Sequence, residues 1–324
     1  MNESYVFYIC IFLLTLALTV LIEKKLIPFL SNRAKQPIYT EGPSWHVNKS
    51  GTPTMGGLAF LIAIGSSMLV SSLMLLQKDL QAGISLVISL IYCVGNALIG
   101  IFDDITKLRR KENAGLTPTQ KLVLQSILAV IFLMARAHYF NDATSIKFSF
   151  GKIELGFFYY VLTFILLLGV VNCANLTDGV DGLSASVSAT ICIIFLIIGY
   201  THTDTIIISI LTIGGALGFL LFNANPAKIF MGDTGSLFLG ALAACLAFSI
   251  NNPFVIVFIG GVYVIEGLSV IMQVITFKLT GKRLFKMAPL HHHLEKSGID
   301  ENKICVLAVL STLVLSTLAF LLRW

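Results

Sequence analysis

Residues 155–171 read LGFFYYVLTFILLLGVV, residues 172–182 read Asn-Cys-Ala-Asn-Leu-Thr-Asp-Gly-Val-Asp-Gly, and residues 183–200 read LSASVSATICIIFLIIGY. Two uncharged apolar runs of membrane length therefore flank an acidic, glycine-punctuated island with no Lys or Arg. Carboxylates at the edge of a hydrocarbon layer are costly unless they face water, a cation or a ligand. A lone Asp-Gly would be read as a solvated turn between two helices. Asn172, Asn175, Asp178, Gly179, Asp181 and Gly182 together read as more than that if other loops bring similar islands to the same face.

Composition agrees with the apolar runs. Of the 324 residues 56% are hydrophobic and 12% charged, and the mean hydropathy is +0.88. The chain is thus an all-α integral membrane protein, read as one polytopic domain over residues 1–324, and not a soluble domain with a large core. The six cysteines lie in or beside apolar runs without paired spacing, as small core residues do.

Ten spans are expected: Tyr5–Ile22, Met55–Leu76, Ala82–Phe102, Thr117–Ala135, Leu155–Val171, Leu183–Tyr200, Thr205–Phe222, Ser236–Ile250, Pro253–Phe277 and Ile304–Leu322. The ninth is interrupted by Gly260, Gly261, Glu266 and Gln273 and reads as a bent or broken helix. Residues 146–155 alternate around Gly151 and suggest a small extracytoplasmic hairpin.

Loops after odd-numbered spans collect most of the cations, including Lys24, Lys25, Lys35, Lys107, Arg109, Arg110, Lys111, Lys278, Lys282 and Arg283, whereas the other side holds Lys78, Arg136, Lys147, Lys152 and Arg323. The positive-inside rule makes the odd loops cytoplasmic and both termini extracytoplasmic. The basic face also suits anionic membrane lipids. Asp103-Asp104, the 172–182 island, residues 223–236 and His291-His292-His293 all fall in odd loops, together with Pro53-Thr54-Met55-Gly56-Gly57. Outer acids such as Asp79, Asp142, Glu154 and Asp204 occur singly. The segregation points to a cleft at the cytoplasmic face.

The carboxylates Asp103, Asp104, Asp178, Asp181 and Asp233 are hard oxygen ligands, and few per loop beside a phosphate substrate suits Mg²⁺ better than zinc. Three consecutive histidines near Lys286 read as a solvated loop or as donors to a phosphate. Phe230-Met231-Gly232-Asp233-Thr234-Gly235-Ser236 has the glycines and helix start of an anion turn, without being a Walker loop.

Asp103-Asp104, Asn172 with residues 175–183, Asn223 with residues 230–236, and Met-Ala-Pro-Leu-His-His-His-Leu-Glu at 287–295 resemble the signature loops of the polyprenyl-phosphate N-acetylhexosamine-1-phosphate transferases, over nearly the whole chain. The triple histidine after Ala-Pro-Leu is similar to the branch acting on phospho-N-acetylmuramoyl-pentapeptide. That resemblance implies an enzyme of peptidoglycan synthesis in the bacterial plasma membrane. It would use UDP-N-acetylmuramoyl-pentapeptide, undecaprenyl phosphate and Mg²⁺, give lipid I and UMP, act as a homodimer and bind no nucleic acid. It further implies that Asp233, with Asp178, is a magnesium ligand, that Asp103, Asp104 and His291 are catalytic, and that His292 and His293 contact substrate. Asn172, Asn175, Gly179, Asp181 and Phe230 would line the uridine pocket, and Asp178 would also bind substrate. Lys49, Thr54, Lys121, Asn223 and Gln273 would complete the polar cleft, with Gly232 and Ser236 as further substrate-binding residues.

Two rivals remain on the sequence: a relative transferring N-acetylglucosamine-1-phosphate, and a cation transporter. The transporter accounts poorly for acids gathered at one face and for the lack of an inverted repeat.

Overall fold

Long uncharged runs satisfy their backbone internally only as helices in lipid, and the chain folds accordingly. The structure is a computed structural model that describes residues 3–31, 33–34, 49, 51–110, 115–140, 144–148 and 151–321. Lys35, Lys111, Asp142 and Arg323 lie outside the described residues. The helices are α1 (Glu3–Ser31), α2 (Gly57–Lys78), α3 (Leu80–Arg110), α4 (Pro118–Tyr139), α5 (Phe157–Thr177), α6 (Leu183–Ile198), α7 (Thr203–Asn223) and α8 (Gly232–Ser249). A 3-10 turn at Pro253–Val255 leads into α9 (Ile256–Ile259), α10 (Gly261–Thr280), α11 (Leu290–Glu295) and α12 (Glu301–Leu321). Among the described residues nine helices are long and apolar enough to cross a membrane, and α6 is a shorter apolar helix. The all-α membrane architecture read from the sequence is the one observed.

Helix α8 organises the bundle. Every residue from Thr234 to Ser249 is buried, so this helix, short for a bilayer, is wrapped by protein on all sides. Small residues let its neighbours approach: a Cβ placed on Gly57 of α2 would stand 2.3 Å from the Gly235 backbone, and one on Gly100 of α3 would stand 2.4 Å from the Asp233 carbonyl oxygen. Close backbone approach of this kind replaces the hydrophobic drive that lipid does not supply.

The ninth span breaks at Gly260, between α9 and α10, as expected from its two glycines. The expected hairpin is present as β1 (Ser145–Phe148) and β2 (Gly151–Glu154), antiparallel with Ile146 opposite Ile153. Arg136 and Asp204, read as outer-loop charges, are instead buried. Arg136 donates to the Phe248 carbonyl at 3.0 Å and to Asn251 Oδ1 at 3.2 Å. Asp204 accepts from Ser85 Oγ and from the Thr205 N–H. A buried charge needs such partners, and that demand draws both residues inward from the loops.

Candidate active site

Asp103 and Asp104 do not lie in a loop. They sit in the last two turns of α3, which runs on to Arg110 and ends in Lys107, Arg109 and Arg110, cations suited to a helix C-terminus. One oxygen from each of Asp103, Asp104 and Asp233 lies within 4.8 Å of the others. Two lysines hold the acids together. Lys107 Nζ stands 2.7 Å from Asp103 and 3.1 Å from Asp233, and Lys121 Nζ stands 3.4 Å from Asp103 and pairs with Asp233 as well. Lys121 is placed by the Thr117–Gln120 capping box that starts α4. The Leu116 N–H donates to Asp103 Oδ1 at 2.8 Å.

Asp104 is spent differently. It accepts from the Asp233 N–H (3.1 Å), the Thr234 N–H (2.9 Å) and the Thr234 hydroxyl (2.7 Å). Backbone donors at the start of a helix have no partner within it, and Asp104 supplies one from α3. It thereby caps α8 and fixes the residue that carries the Asp233 carboxylate. Gly232 makes room for this cap: its φ is +73°, and a Cβ there would stand 2.7 Å from Asp104 Oδ2 and 3.1 Å from Thr54 Oγ1. The two strips on either side are paired through Phe230 N–H to Pro53 O (2.8 Å), Gly56 N–H to Phe230 O and Gly57 N–H to Met231 O (2.9 Å each).

From α5, Asn175 donates to Asp233 Oδ1 at 3.2 Å and to Ser236 Oγ at 2.7 Å. One turn deeper, Asn172 donates to Gln125 Oε1 at 2.8 Å. Asp178, beyond the end of α5, stands apart from the trio. Its carboxyl is pushed up to about 8, chiefly by burial and then by the charges of Asp233, Asp104 and Asp181. Asp181 is committed to protein partners: Lys49 Nζ at 2.8 Å, the Ala227 N–H at 3.0 Å and Asn225 Nδ2 at 3.3 Å. Lys49 also meets Glu301 at 2.7 Å. Burial lowers the ammonium's affinity for its proton, but the two carboxylates outweigh it and hold Lys49 above its ordinary value. Asn223 gives both ends to backbone, accepting from the Gly182 N–H at 3.0 Å and donating to Ile229 O at 2.9 Å.

The triple histidine forms the short helix α11 and its members diverge. His291 is buried, with Nδ1 3.3 Å from Glu266 Oε2, and neither ring nitrogen completes a hydrogen bond among the described residues. Its Nε2 lies where a Cβ on Gly179 would be, at 2.2 Å, so only glycine at 179 admits the imidazole. His292 pairs with Glu295, and His293 Nδ1 accepts from the Lys286 N–H at 3.1 Å. Gln273 pins the preceding loop by accepting from the N–H groups of Leu284 (3.0 Å) and Phe285 (2.8 Å).

The structure therefore brings Asp103, Asp104, Asp233, Lys121, Asn175 and Ser236 into one centre, with Thr54 and Gly232 beside it. Asp178, Gly179 and His291 stand on its flank; Asp181, Asn223 and Gln273 hold backbone around it, and Lys49 pairs with Asp181 and Glu301. Sequence reading passed over Gln125 and Glu301, and took Lys107 only as a cytoplasmic cation, Thr234 only as part of the 230–236 turn and Glu266 only as an interruption of the ninth span. Lys107 was legible as the i+4 partner of Asp103, whereas Thr234 and Glu301 meet their partners only through tertiary packing. The donor set of the trio is all carboxylate oxygen, converging beside polar amides and a hydroxyl, and it fits a hard divalent cation such as Mg²⁺.

Glycosyl transferase family 4 matches residues 84–251, and phospho-N-acetylmuramoyl-pentapeptide-transferase signature 1 matches residues 49–61. The phospho-N-acetylmuramoyl-pentapeptide-transferase of Bacillus subtilis (strain 168) is 44% identical over 306 residues, 93% of each chain. That of Bacillus velezensis is 42% identical over 306 residues, again 93% of each. That of Clostridium botulinum (strain Eklund 17B / Type B) is 44% identical over 292 residues, 88% of this chain and 87% of the relative. With the acidic trio and its surrounding loops falling inside these matches, the chain belongs to glycosyl transferase family 4, among the phospho-N-acetylmuramoyl-pentapeptide transferases.

Proposed function

We propose that the protein transfers phospho-N-acetylmuramoyl-pentapeptide from its UDP conjugate to undecaprenyl phosphate, giving lipid I and UMP, in the first membrane step of peptidoglycan synthesis. The observation that carries this reading is the buried Asp103–Asp104–Asp233 centre, bridged by Lys107 and Lys121, in a chain 44% identical to named transferases over 93% of its length.

Asp233 would hold Mg²⁺ with Asp103 in place of Asp178, because Asp103 belongs to the close carboxylate trio and Asp178 does not. Bound there, the ion would neutralise charge developing on the phosphates. A phosphate monoester has a second pKa of about 6, so the lipid phosphate is largely dianionic at neutral pH and already a competent nucleophile. Its oxygen attacks the sugar-linked phosphorus, the bond from that phosphorus to the bridging oxygen breaks, and UMP leaves with that oxygen. Asp103 takes any residual proton from the acceptor. Asp104 acts through Asp233, as a positioning residue. Lys107 and Lys121 have the charge and reach to meet phosphate oxygens once the acids are engaged elsewhere. Asn172, Asn175, Asp178, Gly179 and Phe230 line the nucleotide side, the short helix α11 that carries His291, His292 and His293 borders the pyrophosphate and sugar, and Lys49, Asp181, Asn223 and Gln273 keep these walls in place.

The chain acts as a single domain that crosses the bacterial plasma membrane ten times, α6 included, with both termini extracytoplasmic, the site in a cytoplasmic cleft and two copies forming a homodimer. The cation distribution supports that orientation. The test is UMP release in detergent with undecaprenyl phosphate and one of two radiolabelled donors. UDP-N-acetylmuramoyl-pentapeptide should support turnover; turnover with UDP-N-acetylglucosamine alone would replace this reading with the N-acetylglucosamine-1-phosphate one.

A further inference from the structure

The 178–182 turn carries Asp178 and Gly179, and Gly179 touches His291, yet the turn itself has little regular structure to keep it there. Its far end is held from the last helix. Glu301, in the first turn of α12, accepts the Asp181 N–H on Oε2 at 3.1 Å, and the same oxygen pairs with Lys49 Nζ at 2.7 Å. Lys49 closes the ring at 2.8 Å from Asp181 Oδ1. Asp181 then reaches the next loop through the Ala227 N–H, and the Cys305 thiol of α12 meets its carbonyl oxygen at 3.2 Å. Three segments remote in sequence, at 49, 181 and 301, are thus joined by one cation between two carboxylates, and Asp181 and Glu301 have side chains only 4% and 14% exposed. A pair this poorly hydrated is screened little by salt, and charge-assisted bonds of this length hold geometry well.

We infer that Glu301 is a positioning residue for the nucleotide-sugar donor: through Lys49 and the Asp181 backbone it fixes the turn that presents Asp178 and Gly179 to the site. This inference rests on the transferase reading above. The trio is anchored independently, by α3, α4 and α8, so loosening the turn should weaken donor capture and leave the chemical step largely intact. The carboxylate charge is the operative feature. Glu301→Gln keeps an oxygen for the Asp181 N–H and leaves Lys49 with one counter-charge, whereas Glu301→Asp keeps the charge one methylene short.

The experiment is steady-state UMP release by the full-length protein in detergent, with undecaprenyl phosphate saturating and UDP-N-acetylmuramoyl-pentapeptide varied. Thermal unfolding is recorded on the same samples. Glu301→Gln should raise the donor KM about tenfold, the scale of one charge-assisted bond, with kcat within about threefold. Glu301→Asp should fall between it and wild type. Lys49→Met combined with Glu301→Gln should cost no more than the worse single change, because the two act as one unit. A donor KM within twofold of wild type in Glu301→Gln, or a fall in kcat at constant KM, overturns the inference. Should Glu301→Gln fail to fold, Glu301→Asp decides: a melting temperature lowered without any rise in KM leaves Glu301 a merely structural role. Failure of the transferase reading is told apart by wild type, which would then release no UMP from this donor.

Discussion

Asp104→Ala is the change that separates a capping carboxylate from a metal ligand. Asp104 satisfies one part-buried and one buried backbone N–H group at the start of α8 and one buried hydroxyl. Each buried donor left without an acceptor costs about 1–3 kcal/mol, and relief of repulsion from Asp233 returns part of this. A net loss of roughly 2–4 kcal/mol follows, near the upper range of measured caps. For a chain of 324 residues that is a fall in melting temperature of roughly 3–6 °C. Asp104→Asn keeps one oxygen for Thr234 but turns an amide nitrogen toward the Asp233 N–H, so it should lose about half as much. Intrinsic-fluorescence melts in detergent, run beside Mg²⁺ titrations of UMP release, give both readouts. Stability should fall in the order wild type, Asn, Ala, with the Mg²⁺ requirement of Asp104→Asn within about fivefold of wild type, because lost interactions at a cap are felt in folding before they are felt by the ion. An Asn variant as stable as wild type that needs a hundredfold more Mg²⁺ would refute the capping argument.

The Asp178 carboxyl, pushed up to about 8 from an ordinary 3.8, binds its proton more tightly folded than unfolded. Its contribution is therefore fully present below about pH 4 and is lost as pH rises through 8; in metal-free melts, Asp178→Asn should lose less stability than wild type between pH 5 and 9, and equal slopes would contradict this. Gly100→Ala puts a methyl 2.4 Å from the Asp233 carbonyl oxygen and should cut turnover more than tenfold by moving α8 off α3, whereas Gly65→Ala and Gly169→Ala, with open space, should be neutral or gain about 0.5–1 kcal/mol from helix propensity. Single cysteines replacing Lys282 and Glu154, in a background lacking the six native ones, should label from opposite sides of the membrane; labelling from one side would break the orientation argued from the cations.

Much of this was legible because the bilayer imposes length and hydropathy on the sequence. Each expected span has a helix beneath it, and the ninth breaks at Gly260 as its glycines suggest. Charge misled the boundaries. The first span was expected to stop at Ile22, but α1 continues through Glu23, Lys24, Lys25 and Pro28 to Ser31, since a helix leaving the hydrocarbon need not end with it. The same error put Asp103 and Asp104 in a loop. The islands did mark the site, because buried acids must be paid for by function or partners. What hydropathy and spacing could not reveal was the division of labour among them: Asp104 capping α8, Asp181 tied to Lys49, and Gln273 folding its loop are all set by contacts more than ten residues apart.

The central claim is that the carboxylate of Asp233, held by Asp104 and Asn175 beside Lys107 and Lys121, carries transfer to the lipid phosphate. Its most direct test is lipid I formed from UDP-N-acetylmuramoyl-pentapeptide and undecaprenyl phosphate by wild type and Asp233→Asn at equal, saturating Mg²⁺. Both proteins should elute as folded, and the variant should form product at least about a thousandfold more slowly, the scale of removing a group that neutralises phosphoryl charge. A folded Asp233→Asn that forms lipid I at a rate near wild type would contradict the account.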